Sequence, residues 1–477
     1  MKRFICIALI LVTIFSLASC SCFKQGPLEE KYTYKKFNEK YIDLVDYKNH
    51  TVEVPLDAIQ AAVDTYLMNN AAEYTVARGD DIYVDIDVYA ESRYTSEDGD
   101  EKVFKGDKID ELSLANYLIK DLGSSPLPHK IETELINANL KISNIMKRTF
   151  KYEELEDYCT NLVPDAEEKY AGKNFYFEIK IMDKVIEEGD VVDVSFAGYR
   201  TDENGEKLSD QKFSESTGEK FFIGSKLAID DFENGLIGAT VGEEFSFKAT
   251  FPDDYANNEE LKGQTVIFDA TVKSVYTPPV YNDDFVKALF PDYGTISAFE
   301  ESLKKDFIMN EMFIYVSDET EILKYPKAEY RDIENSIKDS DASFEEYYGY
   351  TFDEYLKNRY NMTRDEYIKS QMKTEMIYYA IAKQEGIEPT PEMITNEKTN
   401  LITYYKEINI TQNELSSSEA LKAAEELVGN LGEVYIYENV LFNMIKEFLY
   451  KTANAVEIPK TFTSISQKIA NKGSETK

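Results

Sequence analysis

Residues 223–255, IGSKLAIDDFENGLIGATVGEEFSFKATFPDDY, decide the fold of this chain. IDDFENGL predicts a short helix that Gly235 and Gly238 end, and FSFKATF predicts the strand that follows it. Upstream, GDVVDVSFAGY alternates apolar and polar residues, and TDENGEKL contains Asn204-Gly205, a hairpin signal because both residues tolerate positive φ. Together with TVIFDATVKSV downstream, residues 187–277 predict a curved antiparallel sheet with one helix against it.

The chain carries this unit twice. LGSSPLPHKIETELINANLKISNIMKRTF, residues 122–150, aligns with residues 223–251 without a gap. GDDIYVDIDVY from Gly79 aligns with GDVVDVSFAGY from Gly189. A third block, AGKNFYFEIKIMDKV from Ala171, aligns with LKGQTVIFDATVKSV from its Lys262 onward. Three blocks in the same order indicate an internal repeat, so residues 79–186 are predicted to form a first, degenerate copy of the fold.

The N-terminus has the layout of a bacterial lipoprotein signal. Lys2 and Arg3 precede an apolar run of about 15 residues, too short to span a bilayer comfortably. The run ends in LASC, which resembles a lipobox, so we expect a signal peptide at 1–19, an acylated Cys20 and a membrane tether at 20–40. The alternative is an ordinary signal in which the Cys is incidental. Either interpretation places the body of the protein outside the cytoplasm.

Charge and composition exclude several classes of function. The formal net charge of -36 is spread along the chain, which disfavours nucleic-acid binding because phosphates would be repelled. The chain has two His, four Cys with no CxxC spacing in its body, and no HExxH, GxSxG or phosphate-binding glycine loop. We therefore expect no cofactor and no metal site.

The remaining segments complete an α+β architecture. Residues 41–78 read as a connector of one strand and one helix, and the hydrophobic period changes from 2 to about 3.6 after Pro278-Pro279. Residues 278–460 are predicted to be all-α, with capping boxes that begin at positions 343, 351 and 363. Residues 461–477 lose the apolar periodicity and read as a polar tail.

These segments resemble a known family. GDVVDVSFAGY, IGS...DFENGLIGATVGEEFSF and TFPDDYANNEELKGQTVIFDATVKSV are similar to the FKBP-type peptidyl-prolyl isomerase domain, in the version found in trigger factor. PVYNDDFVKALFPDYGTISAFEESLKKDF and IYYAIAKQEGIEPTPEMI resemble the trigger factor helical domain. The resemblance covers residues 41 to about 455 and implies two FKBP-like half-barrels followed by a helical chaperone domain. No counterpart of the ribosome-binding domain is recognised, so ribosome docking is not expected.

The resemblance also implies a substrate pocket in the second copy. Its positions are held by Phe196, Leu208, Ala228, Ile229, Phe232, Tyr255 and Phe268. Phe232 takes the pocket floor, Tyr255 the tyrosine of the FPxxY motif, and the N–H of Ile229 is a candidate donor to the substrate carbonyl. Leu208 replaces a usual Phe, and Asp230-Asp231 replaces the common Pro-Gly. The alternative is that these side chains are merely sheet core.

In the first copy, most of the corresponding pocket positions hold other residues. Ile86 stands for Phe196, Ile131 for Phe232 and Pro128 for Ile229, and only Phe177 is retained opposite Phe268. This copy is interpreted as a structural spacer or an extra binding surface without catalysis. In the helical region, Met372, Met376 and Tyr379 are candidates either for a client-binding cleft or for core.

Taken together, the sequence predicts a lipid-anchored isomerase and chaperone for unfolded or nascent exported polypeptides. Two alternatives stay open. The first is a membrane-tethered holdase in which both FKBP-like copies are structural. The second is a solute-binding lipoprotein, which would need two lobes of alternating strands and helices that the sequence does not show.

Overall fold

The computed structural model describes residues 40–95, 100–466 and 468, except for the side chains at positions 340, 343 and 347. The chain divides into two compact units: a helical unit of residues up to 56 and 300–459, and a sheet unit of residues 57–299 and the chain from 460 onward. The predicted signal peptide, Cys20 and nearly all of the tether lie outside the described residues.

The predicted connector is shared between the two units. It contains strands β1 (Ile42–Asp43) and β2 (Thr51–Pro55), helix α1 (Leu56–Asn69) and strand β3 (Ala72–Glu73). Val52 and Val54 are buried with the period of a strand, whereas α1 buries Ile59, Val63 and Leu67 with the period of a helix. The boundary between the units falls where this period changes, at residues 56 and 57.

The first copy of the repeat is a five-stranded antiparallel sheet. Its elements are β4 (Ile82–Thr95), β5 (Glu101–Lys108), β6 (Leu114–Ile119), α2 (His129–Asn137), β7 (Ile145–Lys151), α3 (Glu156–Leu162), α4 (Ala166–Tyr170) and β8 (Asn174–Lys184). The strand order is β5-β4-β8-β7, and β6 also pairs with β4. Alternate residues of β4 and β8 point into the core and are fully buried.

The second copy repeats this topology. Its elements are β9 (Val191–Thr201), β10 (Lys207–Phe222), α5 (Asp230–Leu236), β11 (Glu244–Thr250) and β12 (Thr265–Thr277). The order β10-β9-β12-β11 matches the first sheet, with one long, bulged strand, β10, where the first copy has β5 and β6; β3 also pairs with β12. The turn at Asn204-Gly205 joins β9 to β10, and Gly205 has the positive φ of 76° that the hairpin signal predicted.

The two sheets are joined by a buried ionic cluster. The ammonium of Lys184, at the end of β8, lies 3.6 Å from Asp80, 3.0 Å from Glu187 and 3.1 Å from Asp190. Its side chain is 2% exposed, and the Tyr74 hydroxyl donates a hydrogen bond to Asp80. Burial alone would lower the pKa of Lys184, but the three carboxylates outweigh it and raise that pKa. The first copy therefore packs directly on the second.

Helices make up most of the rest of the described chain. They are α6 (Asp283–Leu289), α7 (Ile296–Glu319), α8 (Lys327–Tyr348), α9 (Phe352–Tyr360), α10 (Arg364–Glu385), α11 (Pro391–Thr411) and α12 (Ser417–Thr452), the last broken at Gly432. Short strands β13 (Glu321–Ile322) and β14 (Asn454–Ile458) pair with β1 and β2.

The helix starts were predicted with mixed success. The capping boxes at Thr351 and Thr363 begin α9 and α10 as predicted, because each Thr hydroxyl accepts from the N–H of the Glu three residues on. The box predicted at 343–346 is wrong, since those residues continue α8. Within the described part of the chain, no helix combines the length and apolarity needed to cross a membrane.

The C-terminal residues differ from a free polar tail. Ser464, Ile465 and Ser466 are buried in the sheet unit, where they pack against α1. Phe462 and Ile465 are the two apolar residues at positions 461–466, too few for periodicity to indicate this burial. Residues 467 and 469–477 lie outside the described part of the chain.

Candidate functional site

Three phenylalanines of the second copy meet on the inner face of its sheet. The ring centroids of Phe196, on β9, and Phe268, on β12, lie 5.3 and 4.8 Å from that of Phe232, on α5, and 5.9 Å from each other. All three pairs are edge-to-face, the arrangement that ring quadrupoles favour. Phe232 and Phe268 are each 4% exposed and Phe196 is half-buried. The structure thus brings together three of the residues predicted from the sequence.

A glycine on β9 makes room for this cluster. Gly198 lies opposite Phe268 in the register of β9 and β12. A Cβ at this position would stand 2.7 Å from the Phe213 ring and 2.8 Å from the Phe268 ring, closer than real Cβ contacts allow. The first copy has Val88 at the corresponding position, opposite Phe177. A side chain there is therefore compatible with the first copy but not with the aromatic cluster of the second.

Helix α5 sets the position of the predicted backbone donor. Ile229 is its N-cap residue, in an extended conformation, and both Ile229 and Ala228 pack on the apolar core. The Asp231 carboxylate accepts from the N–H of Thr250 at 2.9 Å, which fixes the first turn of α5 to β11. Among the described residues, the Ile229 N–H has no hydrogen-bond partner, so it is available to a bound ligand.

The loop before α5 is held by a buried carboxylate that the sequence analysis missed. Glu233 is 2% exposed and accepts from the N–H groups of Gly224, Lys226 and Ala228 at 2.8, 3.1 and 3.0 Å. Burial raises its pKa, although these three hydrogen bonds oppose the rise. The signal was present in the repeat, because Glu132 aligns with Glu233 and accepts from Gly123 and Ser125.

The structure places the other predicted pocket residues unequally. The Tyr255 ring lies 4.7 Å from that of Phe251, whose ring in turn lies 6.0 Å from that of Phe213. Leu208 is half-buried and is not among the residues packed on the core cluster of the described chain. Phe213 is packed there instead, 5.9 Å from Phe268, because bulges in β10 shift the register between positions 207 and 214. Linear alignment could not anticipate those bulges.

The corresponding site of the first copy is filled by its own chain. Ile86, Ile131 and Phe177 are all 0% exposed. Helix α3, which has no counterpart in the second copy, places Tyr158 against Phe177 with ring centroids 5.9 Å apart. The Tyr158 hydroxyl donates to the carbonyl of Leu112 at 2.6 Å. This filled interior supports the interpretation of the first copy as non-catalytic.

Residues 183–273 match the family of the FKBP-type peptidyl-prolyl cis-trans isomerase. The chain carries an FKBP-type isomerase domain. The match includes Phe196, Phe232 and Phe268, which the structure brings into one cluster. The individual pocket roles within this isomerase domain remain predictions.

Curated relatives are trigger factors. That of Mycoplasma mobile is 27% identical over 321 residues, which is 62% of this chain and 62% of the relative. That of Caldicellulosiruptor saccharolyticus is 26% identical over 54% of this chain and 61% of the relative, and that of Hydrogenovibrio crunogenus is 38% identical over 26% and 27%. The matched region thus spans at most about three fifths of the length of these relatives.

Two solved structures are also similar. One is of the trigger factor chaperone, at 15% identity over 62% of this chain and 84% of that chain, with a TM-score of 0.19. The other contains the three FKBP domains of wheat FKBP73, at 12% identity over 43% and 92%, with a TM-score of 0.15. The isomerase domain is instead characterised by its strand order and by the family match over residues 183–273.

In the helical unit, the candidate client-binding residues lie in the core. Met372, Met376 and Tyr379 are 2%, 0% and 2% exposed, which favours the core alternative over a cleft. Helix α11 instead has no buried residue, although it carries Tyr404, Ile410 and other apolar side chains. Among the described residues, no three His, Cys, Asp or Glu are grouped in a way that could hold a metal ion.

Proposed function

We propose that the chain is a lipid-anchored, extracytoplasmic peptidyl-prolyl cis-trans isomerase and chaperone for exported polypeptides. The observation that carries the isomerase part of this proposal is the edge-to-face cluster of Phe196, Phe232 and Phe268 inside the FKBP-type domain. The anchoring part rests on the LASC sequence that ends at Cys20. The similarity to trigger factors supports the chaperone part.

Prolyl isomerisation depends on an apolar environment around the X-Pro amide more than on a reactive side chain. Rotation about an X-Pro bond faces a barrier of about 18–20 kcal/mol because the planar amide is stabilised by resonance. The planar amide is also more polar than the twisted one, so aromatic walls favour the transition state over the ground state. A preference of about 4 kcal/mol would accelerate rotation roughly a thousandfold.

The backbone of Ile229 supplies the polar contact in this mechanism. Its N–H has no partner among the described residues, and the α5 N-terminus beside it carries Asp230 and Asp231. A substrate carbonyl that accepts from this N–H would be held while the prolyl ring contacts the Phe cluster. Positioning of this kind adds to catalysis without a nucleophile or a metal.

The helical unit is the candidate client-binding surface. Tyr404 is 58% exposed, and Tyr348, Tyr350 and Ile410 are 46%, 39% and 39% exposed. Accessible aromatic and aliphatic side chains of this kind suit unfolded chains. Binding there would raise the local concentration of prolyl segments near the isomerase domain.

The isomerase is tested by proline-limited refolding of a model protein with a matched pair of variants. Phe268→Leu should lower the acceleration at least tenfold, because it removes one wall of the aromatic cluster. Phe177→Leu, the same change at the aligned position of the first copy, should leave it unchanged. Equal rates for wild type and both variants, with aggregation still suppressed, would instead support a holdase with structural FKBP-like domains.

Membrane anchoring needs a separate experiment. In a bacterial host fed a labelled fatty acid, the chain should be labelled and should sediment with membranes, whereas Cys20→Ser should be unlabelled and released. Labelling that persists in Cys20→Ser would contradict lipidation at Cys20.

A further inference from the structure

The loop that precedes α5 has an unusual backbone. Gly224 has a φ of +89°, and Lys226 has a φ of +62°, a left-handed conformation that residues other than glycine rarely adopt. Such a conformation persists only when surrounding contacts fix it, and conformations of this type cluster at functional sites. Lys226 lies three residues before Ile229, the proposed donor.

The hydrogen bonds to Glu233 do not by themselves explain this conformation. The first copy has the equivalent Glu132, which accepts from Gly123 and from Ser125. Ser125, which aligns with Lys226, is not among the described residues with positive φ. The left-handed residue thus belongs to the isomerase copy and not to the first copy.

A contact to Lys226 comes from the C-terminal strap, defined here as residues 460–466 and 468. The strap is tied to α1: Thr461 donates its N–H and its hydroxyl to Asp57 at 3.0 and 2.6 Å. The ammonium of Lys460 donates to Gln60 at 2.6 Å, and Gln60 donates to Ser466 at 3.0 Å. Because Ile465 is also buried, the strap is a packed part of the sheet unit.

From this anchorage the strap reaches the loop. The ammonium of Lys226 lies 5.1 Å from the centre of the Phe462 ring, within the range of a cation–π contact, and 3.1 Å from the Asp230 carboxylate. Lys468 donates to Glu188 at 2.5 Å. Strap, loop and α5 border a cleft of about 340 Å³, with Gly224, Glu233 and Phe462 among its lining residues.

We infer that the strap is a positioning element of the isomerase site, and that Phe462 is its main positioning residue. Phe462 holds the Lys226 side chain, which favours the left-handed backbone at Lys226 and thereby fixes where Ile229 presents its N–H. The inference rests on the proposed isomerase function. The strap would thus affect catalysis indirectly. Among the described ring pairs, none joins Phe462 to Phe196, Phe232 or Phe268.

The test compares Phe462→Ala with Phe462→Tyr in the full chain. Tyr94→Ala is the control, because Tyr94 is an aromatic residue of the first copy with 57% exposure. Two quantities are measured: kcat and KM for a short prolyl peptide, and amide hydrogen exchange at residues 224–229. Phe462→Ala should lower kcat by about three- to tenfold with KM nearly constant, since a misplaced donor weakens transition-state contacts more than binding.

The same variant should exchange the amides of residues 224–229 faster, with an unchanged midpoint of urea unfolding. Phe462→Tyr should restore both kcat and protection, because a tyrosine ring also accepts a cation. Normal kcat and normal protection in Phe462→Ala would overturn the inference, and so would an unfolding midpoint that falls in proportion to kcat. If the wild type has no isomerase activity, the proposed function fails, while the exchange data still decide whether the strap holds the loop.

Discussion

Removal of the Lys184 charge should weaken the packing between the two FKBP-like copies and so lower the stability of the sheet unit. Lys184→Met keeps most of the aliphatic stem but leaves Asp80, Glu187 and Asp190 around a site without a cation. Loss of one partner from a buried ionic cluster costs about 3–5 kcal/mol. We expect a loss of this size in the free energy of unfolding of the sheet unit at pH 8.

The loss should depend on pH in a defined direction. Burial already raises the pKa of Asp190 to about 6, with Lys184 opposing the rise. In the variant this opposition is gone, so the pKa of Asp190 rises further above that of the unfolded chain. A raised carboxyl pKa stabilises the folded state at low pH, and this stabilisation is lost as pH increases through the folded pKa. The variant should therefore recover part of its stability at pH 5.5.

The assay is urea unfolding followed by circular dichroism and tyrosine fluorescence, since the chain has no Trp and 35 Tyr. Lys105→Met is the matched control: its exposed pair with Glu178 should contribute at most about 1 kcal/mol. A Lys184→Met loss no larger than that of the control, or a loss that stays constant between pH 8 and 5.5, would refute the coupling through this cluster.

Three further outcomes are expected. Gly198→Ala should destabilise the sheet unit by about 1–3 kcal/mol and lower isomerase activity, because its Cβ overlaps two rings; unchanged urea midpoint and activity would contradict this. Asp64 is buried, which raises its pKa to about 7, and its neighbours Lys460 and Glu233 act in opposite directions. The raised pKa lowers stability progressively between the unfolded value of 3.8 and about 7, so Asp64→Asn should gain up to about 4 kcal/mol over wild type at pH 8 and only a small part of this at pH 4 in urea titrations. Tyr158→Phe should cost about 1–3 kcal/mol in the same titrations, because the Leu112 carbonyl loses its donor, while prolyl peptide turnover stays at the wild-type rate.

The sequence by itself determined the repeat and its topology. The strands and their order could be predicted from period-2 alternation, the turn at Asn204-Gly205 and the block alignment. These signals suffice because side-chain alternation and turn chemistry are local properties of the sequence. The strand registers agree with that alignment: Val88 faces Phe177 as Gly198 faces Phe268. Phe196, Phe232 and Phe268 were identified through the resemblance to the FKBP-type isomerase domain, and the block alignment then identified their counterparts in the first copy.

Only the tertiary structure decided the remaining features of the site. Bulges in β10 bring Phe213 to the cluster in place of Leu208, and bulges leave no unique mark in a sequence. The strap at the C-terminus is polar apart from Phe462 and Ile465, so its burial depends on hydrogen bonds to α1, which lies about 400 residues away in sequence. Contacts at such separation have no sequence period, and through them the strap is anchored where Phe462 meets Lys226 in the loop before Ile229.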